Sequence, residues 1–134
     1  MKKYKILIVL ADFYEDISSA LLGRAKLQIP YKYAEPKNIK VIKVPGVFEI
    51  PVTISKNIKK YDAFIALGCV IKGETPHFDF ISSATTNAIM KLSVDSKKPI
   101  GNGIITCLNR EQAEDRVHRK ARGAADAVIA ILNQ

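Results

Sequence analysis

Cysteine is scarce in this sequence, and the two that occur form neither a metal site nor a redox pair. Cys69 and Cys107 lie outside any CxxC motif, and each ends an apolar run. We interpret both as small buried hydrophobic residues in a reducing compartment. The 134 residues are close to the commonest domain size and can bury roughly two-thirds of their unfolded surface without disulfides. We therefore expect one domain over residues 1–134 and no metal site.

Long apolar stretches are also missing. None approaches the roughly 20 residues that a membrane helix needs. The start, MKKYKILIVL, places lysines before an apolar run as a secretory signal does, but Asp12, Glu15 and Asp16 follow at once. The apolar part is too short for a signal core. We expect it to be the first strand of a cytoplasmic protein without a membrane partner.

Acidic residues are outnumbered, 13 against 21 lysines and arginines, which gives a formal net charge of +8. Such an excess raises nucleic acid as a partner. However, the lysines are scattered, and no RRM, KH or helix-turn-helix pattern connects them. A solvated basic surface is the simpler explanation, and it is compatible with a small anionic substrate. The sequence also lacks a GxGxxG or Walker P-loop motif, which argues against a nucleotide cofactor.

What the sequence does contain is an alternation of apolar runs with amphipathic segments. We predict strands at residues 5–10, 39–44, 63–70 and 100–106. Helices are predicted at 16–27, 48–58 and 78–92, with Pro51 in the first turn of the second and a loop over 28–38. Four successive βα units predict an α/β fold, a single-domain three-layer sandwich whose four-stranded parallel sheet has helices on both faces.

Two of the helices have further signatures. The first is predicted to place four residues on one face: Ile17, Ala20, Leu21 and Leu22. Asn109 and Gln112 form a capping-box-like start for the last helix. Apolar residues then repeat at helical spacing and predict its buried face: Ala113, Val117, Ala124, Val128 and Ile131.

In parallel sheets, ligands bind outside the carboxyl ends of the strands. This rule gathers four loops at one edge: residues 11–15, 45–49, 72–78 and 106–110. The third loop lies in the stretch GCVIKGETPHFDFI. Its Gly73 allows a sharp turn, and amides before a helix attract phosphate or carboxylate. His77 can transfer protons near neutral pH, although a hydrogen-bonded loop histidine beside a solvated Lys72 would explain the same pattern.

Four other residues are candidates on weaker grounds. Glu49 follows Pro-Gly, where a carboxylate either favours a helix start or accepts hydroxyl donors. Phe13 either covers the core or forms a platform for a planar ring. Arg116 lies on the last helix, where most arginines are solvated. His118 is two positions further on, so it points elsewhere, and we interpret it as a surface residue.

Four separated blocks of the chain resemble the 6,7-dimethyl-8-ribityllumazine synthase family. They are VLADFYEDI, VPGVFEIP, ALGCVIKGETPHFDF and NGIITCLNREQAEDR, in that order. The resemblance implies a flavodoxin-like fold and a transferase of riboflavin biosynthesis. That enzyme condenses 5-amino-6-(D-ribitylamino)pyrimidine-2,4-dione with 3,4-dihydroxy-2-butanone 4-phosphate, releasing phosphate and water, and it needs no metal or organic cofactor.

The resemblance also implies a role for each matching residue of the pyrimidine site. Phe13 would stack on the pyrimidine ring. The ribityl chain would be lined by Val47, Phe48 and Glu49, with Glu49 accepting its hydroxyls. The ring edge would be held largely by backbone groups of Cys69, Val70 and Ile71.

The remaining roles concern phosphate binding and proton transfer. By resemblance, Glu74 and Thr75 would bind the phosphate with their amides, and Arg116 would pair with it. His77 would transfer protons. A neighbouring subunit would contribute Asn102, Ile104, Ile105 and Arg116, because the family implies a homo-oligomer, either a pentamer or an assembly of pentamers.

Two alternatives belong to other functional classes. A non-catalytic flavin or lumazine carrier of the same fold would need Phe13 and Glu49 but not both His77 and Arg116. A basic RNA-binding module would bind nucleic acid in a salt-sensitive manner, and it would leave the GETPH segment without a purpose. The joint presence of His77 and Arg116 favours the enzyme.

Overall fold

The four predicted strands form one parallel sheet in the order β2-β1-β3-β4. A computed structural model describes residues 3–134. The strands are β1 (Ile6–Ala11), β2 (Ile39–Val44), β3 (Ala63–Ile71) and β4 (Ile100–Cys107). They alternate with helices α1 (Glu15–Gln28), α2 (Ile50–Lys56), α3 (Phe78–Ser96) and α4 (Arg110–Leu132). The predicted α/β architecture is confirmed.

Helices cover both faces of the sheet, so the predicted three layers are also confirmed. One cluster joins α1 and α4 to one face of the sheet, with Leu21 and Val117 among its buried members. The other joins α2 and α3 to the opposite face through Ile54 and Ile89. The central strands β1 and β3 are buried at every position, as expected for strands covered on both sides.

The ends of the elements differ from prediction where a turn or cap decides them. A 3₁₀ turn at Val47–Glu49 precedes α2, which begins at Ile50 and ends before residue 58. Pro51 lies in the first turn, as predicted. Helix α3 continues past residue 92 to Ser96 and ends where Lys97 takes a left-handed conformation. The predicted loop 28–38 contains the last residue of α1 and a second 3₁₀ turn, Pro36–Asn38.

Two predicted helix faces need correction. In α1, Ala20 is exposed and Ser18 is buried in its place. The Ser18 hydroxyl can be buried because it donates to the Ala11 carbonyl at 2.7 Å. In α4 the predicted face is buried except for Ile131, which lies in the last turn and is 45% exposed.

The start of α4 confirms the predicted cap with one difference. The Asn109 side chain accepts a hydrogen bond from the Gln112 amide at 2.9 Å. The Gln112 side chain reaches back to the amide of Leu108 rather than to that of Asn109. Cys69 and Cys107 are both free and buried, as predicted. Among residues 3–134, no helix is long and apolar enough to cross a membrane.

Candidate functional site

Three of the four predicted loops surround one cavity of about 310 Å³ at the carboxyl edge of the sheet. Parallel register brings them together, since Ala11 pairs with Val44 at the ends of β1 and β2, and β3 lies on the other side of β1. Seven predicted site residues line the cavity: Phe13, Val47, Phe48, Glu49, Cys69, Val70 and Thr75.

Phe13 belongs to this cavity and not to the core. Its side chain is 64% exposed, and its ring meets the edge of Tyr14 with 4.9 Å between centroids at 78°. An aromatic ring held by one neighbour and otherwise open can accept a planar ligand on its free surface. The exposure of Phe13 argues against core cover, and its role as a platform stays a prediction.

Glu49 lines the same cavity as Phe13, from the loop after β2. It is the residue before α2, yet its side chain makes no capping hydrogen bond and no ion pair among residues 3–134. Gly46 leaves room for it, because a Cβ there would lie 3.2 Å from a Glu49 carboxylate oxygen. The Glu49 carboxylate thus makes no capping hydrogen bond, and it remains available to accept hydroxyl donors.

The end of β3 forms the floor of the cavity. Cys69 and Val70 are buried and line it, whereas Ile71 is fully buried in the core and presents only its carbonyl to the following loop. Burial, and after it the neighbouring Cys107, raises the pKa of Cys69 to about 12. A thiol with this pKa is not a nucleophile at neutral pH, so Cys69 belongs to the floor and not to the chemistry.

The loop between β3 and α3 turns sharply where the sequence predicts it. Gly73 has φ of 88°, and the amides of Glu74 and Thr75 both donate to the Ile71 carbonyl, at 3.2 and 3.1 Å. These are the amides that the resemblance assigns to phosphate. A phosphate bound by them would replace or share the Ile71 carbonyl as their acceptor.

His77 ends this loop in an uncommon conformation. It is exposed, has φ of 60°, and precedes α3 without a side-chain cap. Left-handed conformations at non-glycine residues cost roughly 1–3 kcal/mol and cluster at functional sites. The imidazole is therefore exposed to solvent at the end of the loop.

Arg116 and Asn102 lie in a second cavity, of about 470 Å³, between β4 and α4. Arg116 donates to the Thr106 carbonyl at 3.2 Å, and the Asn102 side chain accepts from the Ile104 amide. Ile105 also lines this cavity, whereas Ile104 packs in the core. Among residues 3–134, none lines both cavities. Within one chain, the structure therefore separates Arg116 and Asn102 from Phe13 and Glu49.

The second cavity is strongly basic. Arg119 and Lys120 line it beside Arg116, and no acidic residue does. Three cationic side chains around one cavity favour an anionic ligand, because an anion relieves their mutual repulsion.

The sequence prediction missed two residues that join the loops. The Tyr14 hydroxyl lies 3.4 Å from the Thr75 hydroxyl, and the Arg110 guanidinium lies 5.7 Å from the centroid of the Tyr14 ring. Arg110 also pairs with Asp16. Both residues could have been found from their positions, because Tyr14 follows Phe13 in the first predicted loop and Arg110 lies in the fourth, at the start of α4. His118 is exposed, as predicted.

The chain resembles known proteins over nearly its full length. A family model described as 6,7-dimethyl-8-ribityllumazine synthase matches residues 3–134. A protein of that name from Polaromonas sp. is 40% identical over 134 residues, which cover 98% of this chain and 87% of the relative. Another from Corynebacterium kroppenstedtii is 42% identical, with 96% and 81% covered. A third from Agrobacterium fabrum is 45% identical, with 98% and 95% covered.

Proposed function

Because this chain belongs to the 6,7-dimethyl-8-ribityllumazine synthase family, we propose that its two cavities are the two halves of one active site. The chain is a transferase of riboflavin biosynthesis. It condenses 5-amino-6-(D-ribitylamino)pyrimidine-2,4-dione with 3,4-dihydroxy-2-butanone 4-phosphate and releases phosphate and water. The proposal concerns which residues do this and how they are brought together.

The observation that carries the proposal is that Phe13 and Glu49 line the same cavity. An exposed aromatic ring and a carboxylate without a partner suit a ligand that is planar at one end and polyhydroxylated at the other. Phe13 stacks on the pyrimidine, and Glu49 accepts the ribityl hydroxyls beside Val47 and Phe48. Backbone groups of Cys69, Val70 and Ile71 hold the ring edge.

The phosphate substrate is held between the β3–α3 loop and the basic cavity. Glu74 and Thr75 bind its phosphate through their amides, and Arg116 pairs with it. A guanidinium can bind two oxygens of a dianion at once, which suits a leaving phosphate better than a lysine ammonium does. Holding both substrates in place removes several kcal/mol of the barrier.

His77 carries protons in this mechanism. Loss of phosphate and closure of the ring both move protons, and an imidazole can transfer them near neutral pH. The exposure of its side chain supports this role, as does its place on the loop that contributes Thr75 to the first cavity. The roles require no metal or organic cofactor.

Assembly brings the second cavity of one subunit against the first cavity of its neighbour. We infer a cytoplasmic homo-oligomer, a pentamer or an assembly of pentamers, in which Asn102 and Arg116 come from the adjacent subunit. The separation of the cavities within one chain supports this arrangement. So does the apolar surface of α3, where Phe80, Met90 and Val94 are each more than 60% exposed, since subunit contact would cover it.

Turnover is tested by mixing both substrates with the purified protein. We expect lumazine fluorescence to rise as inorganic phosphate is released in equal amount. A protein that binds lumazine but releases no phosphate would instead be the carrier, and salt-sensitive binding of RNA without turnover would indicate the nucleic-acid module.

The shared site is tested with two impaired variants, His77→Ala and Arg116→Ala, which are unfolded, mixed and refolded together. At some mixed interfaces the intact His77 of one chain meets the intact Arg116 of the other, so activity should return there. Each variant refolded alone is the control. If mixtures shown by mass to contain both chains never exceed the sum of the separate variants, the shared-site arrangement is wrong.

A further inference from the structure

Tyr14 lies between the loops that the proposed function assigns to the two substrates. Its ring packs against Phe13 in a T-shaped pair, with 4.9 Å between the ring centroids. Its hydroxyl reaches Thr75, with 3.4 Å between the two oxygens. One side chain therefore contacts both the pyrimidine platform and the phosphate loop, and neither contact is a role that the resemblance implies for it.

A third loop holds Tyr14 in place. The Arg110 guanidinium lies 5.7 Å from the centroid of the Tyr14 ring, close enough for a cation–π attraction. Arg110 is fixed in turn by its ion pair with Asp16 of α1. Tyr14 is thus held between the ends of β1, β3 and β4, in contrast to the exposed Phe13 that it supports.

The hydroxyl pair has a preferred direction once a phosphate is present. Either oxygen can be the donor in the free protein. If Tyr14 donates, the Thr75 proton is free to point at an anion, and each hydrogen bond strengthens the other. Burial raises the pKa of Tyr14, so its hydroxyl keeps its proton and remains a donor at neutral pH.

We propose that Tyr14 is a positioning residue that couples the pyrimidine subsite to the phosphate subsite, its ring supporting Phe13 and its hydroxyl orienting Thr75. This inference rests on the proposed function for the identity of the two substrates. The two contacts use different parts of one side chain, so they can be removed separately.

Tyr14→Phe removes only the hydroxyl. A neutral hydrogen bond of this kind corresponds to about a threefold to tenfold change in an equilibrium constant. We expect KM for the butanone phosphate to rise by about that factor, while the dissociation constant of the pyrimidine stays within about twofold. Tyr14→Leu also removes the ring edge, and both substrates should then bind more weakly.

A double-mutant cycle separates positioning from a general structural effect. Thr75→Val should raise the same KM at least as much, since it also removes the hydroxyl that points at the phosphate. Adding Tyr14→Phe to Thr75→Val should raise KM no further, because the tyrosine hydroxyl acts only through Thr75. Thr75→Ser keeps a hydroxyl and should retain the sensitivity to Tyr14→Phe. The matched control is Tyr33→Phe, which removes a tyrosine hydroxyl bound to Asn133 at 2.9 Å and should leave both substrates unaffected.

Titration of inorganic phosphate into the protein, followed by calorimetry, measures phosphate binding without turnover. Tyr14→Phe should weaken phosphate binding by about the same threefold to tenfold. If the wild-type protein forms no lumazine, the proposed function is refuted. The phosphate titration then still tests the role of Tyr14. Three results would each overturn the coupling: unchanged or tighter phosphate binding in Tyr14→Phe, additive effects in the cycle, or equal losses for both substrates in Tyr14→Phe. Circular dichroism and assembly mass equal to those of the wild type show that each variant is folded.

Discussion

Gly68 is a position where one added methyl group should disturb both the packing of the core and the active site. It lies in β3, where it pairs with Ile104 of β4 and directly follows Leu67, which pairs with Leu10 of β1. A Cβ built on Gly68 would lie 2.7 Å from a Val47 methyl and 3.1 Å from the Ala11 Cβ. Since real Cβ atoms do not approach so closely, Gly68→Ala must displace Val47.

The size of the effect of Gly68→Ala depends on which segment moves to relieve the close contact. Strand β3 is held by ladders on both sides, and a valine side chain is stiff about χ1, so the strain falls on the loop that carries Val47. Overpacking of this kind costs roughly 1–3 kcal/mol of folding free energy. Val47 lines the first cavity, so we expect KM for the pyrimidine to rise at least about fivefold, the equivalent of roughly 1 kcal/mol.

The assay combines thermal unfolding at one fixed protein concentration with steady-state kinetics, since oligomerisation makes the midpoint depend on concentration. Gly23→Ala is the matched control: nothing lies within 4 Å of its added methyl, and α1 should gain roughly 0.5–1 kcal/mol. Val47→Ala combined with Gly68→Ala removes the 2.7 Å contact and should recover much of the loss. If Gly68→Ala matches the wild type in stability and in KM, the close packing of Val47 on β3 is wrong.

Four further outcomes follow from the site. Arg116→Ala should lower catalytic efficiency for the phosphate substrate about 10- to 150-fold, since a charged hydrogen bond is worth roughly 1.5–3 kcal/mol; unchanged kinetics would remove Arg116 from the site. His77→Ala should slow turnover by about 10²-fold or more with pyrimidine binding nearly intact, and a parallel loss of binding would make His77 structural. Turnover should be undiminished in EDTA, because residues 3–134 contain no cluster of three or more metal-ligating side chains; loss of activity restored by a divalent ion would contradict this. Burial raises the pKa of Cys69 from 9.0 to about 12, so its neutral thiol stabilises the fold fully below pH 9.0 and less as pH rises towards 12. Cys69→Ala should lack this alkaline loss of stability in its unfolding curves. If its stability has the same pH profile as the wild type, Cys69 does not cause the loss.

The candidate site could be predicted in part because its signals are local. Gly73 turns where the sequence requires a turn, and Cys69 and Cys107 are buried because apolar runs surround them. Tyr14 and Arg110 were missed because their contact is not local: α4 begins at Arg110, far along the chain from β1. No spacing in the sequence shows that they meet.

The sequence by itself determined the succession of elements and the family. A strand buried on both faces must be apolar along its whole length, so β1 and β3 can be recognised from composition alone. The alternation of strands with helices then requires parallel pairing and right-handed crossovers. These properties depend on residues that are close together in the sequence, so the sequence alone determines them.

Only the tertiary structure decided the strand order, the burial of Ser18 in place of Ala20, and the division of the site into two cavities. Each depends on packing between segments that are distant in sequence. Ser18 is buried because its hydroxyl finds the Ala11 carbonyl, and Arg116 lies apart from Phe13 because β4 is an edge strand on the far side of β3 from β1. Local pattern predicts which residues share a helix face, but it carries no information about which distant segment covers that face or which loops enclose a cavity.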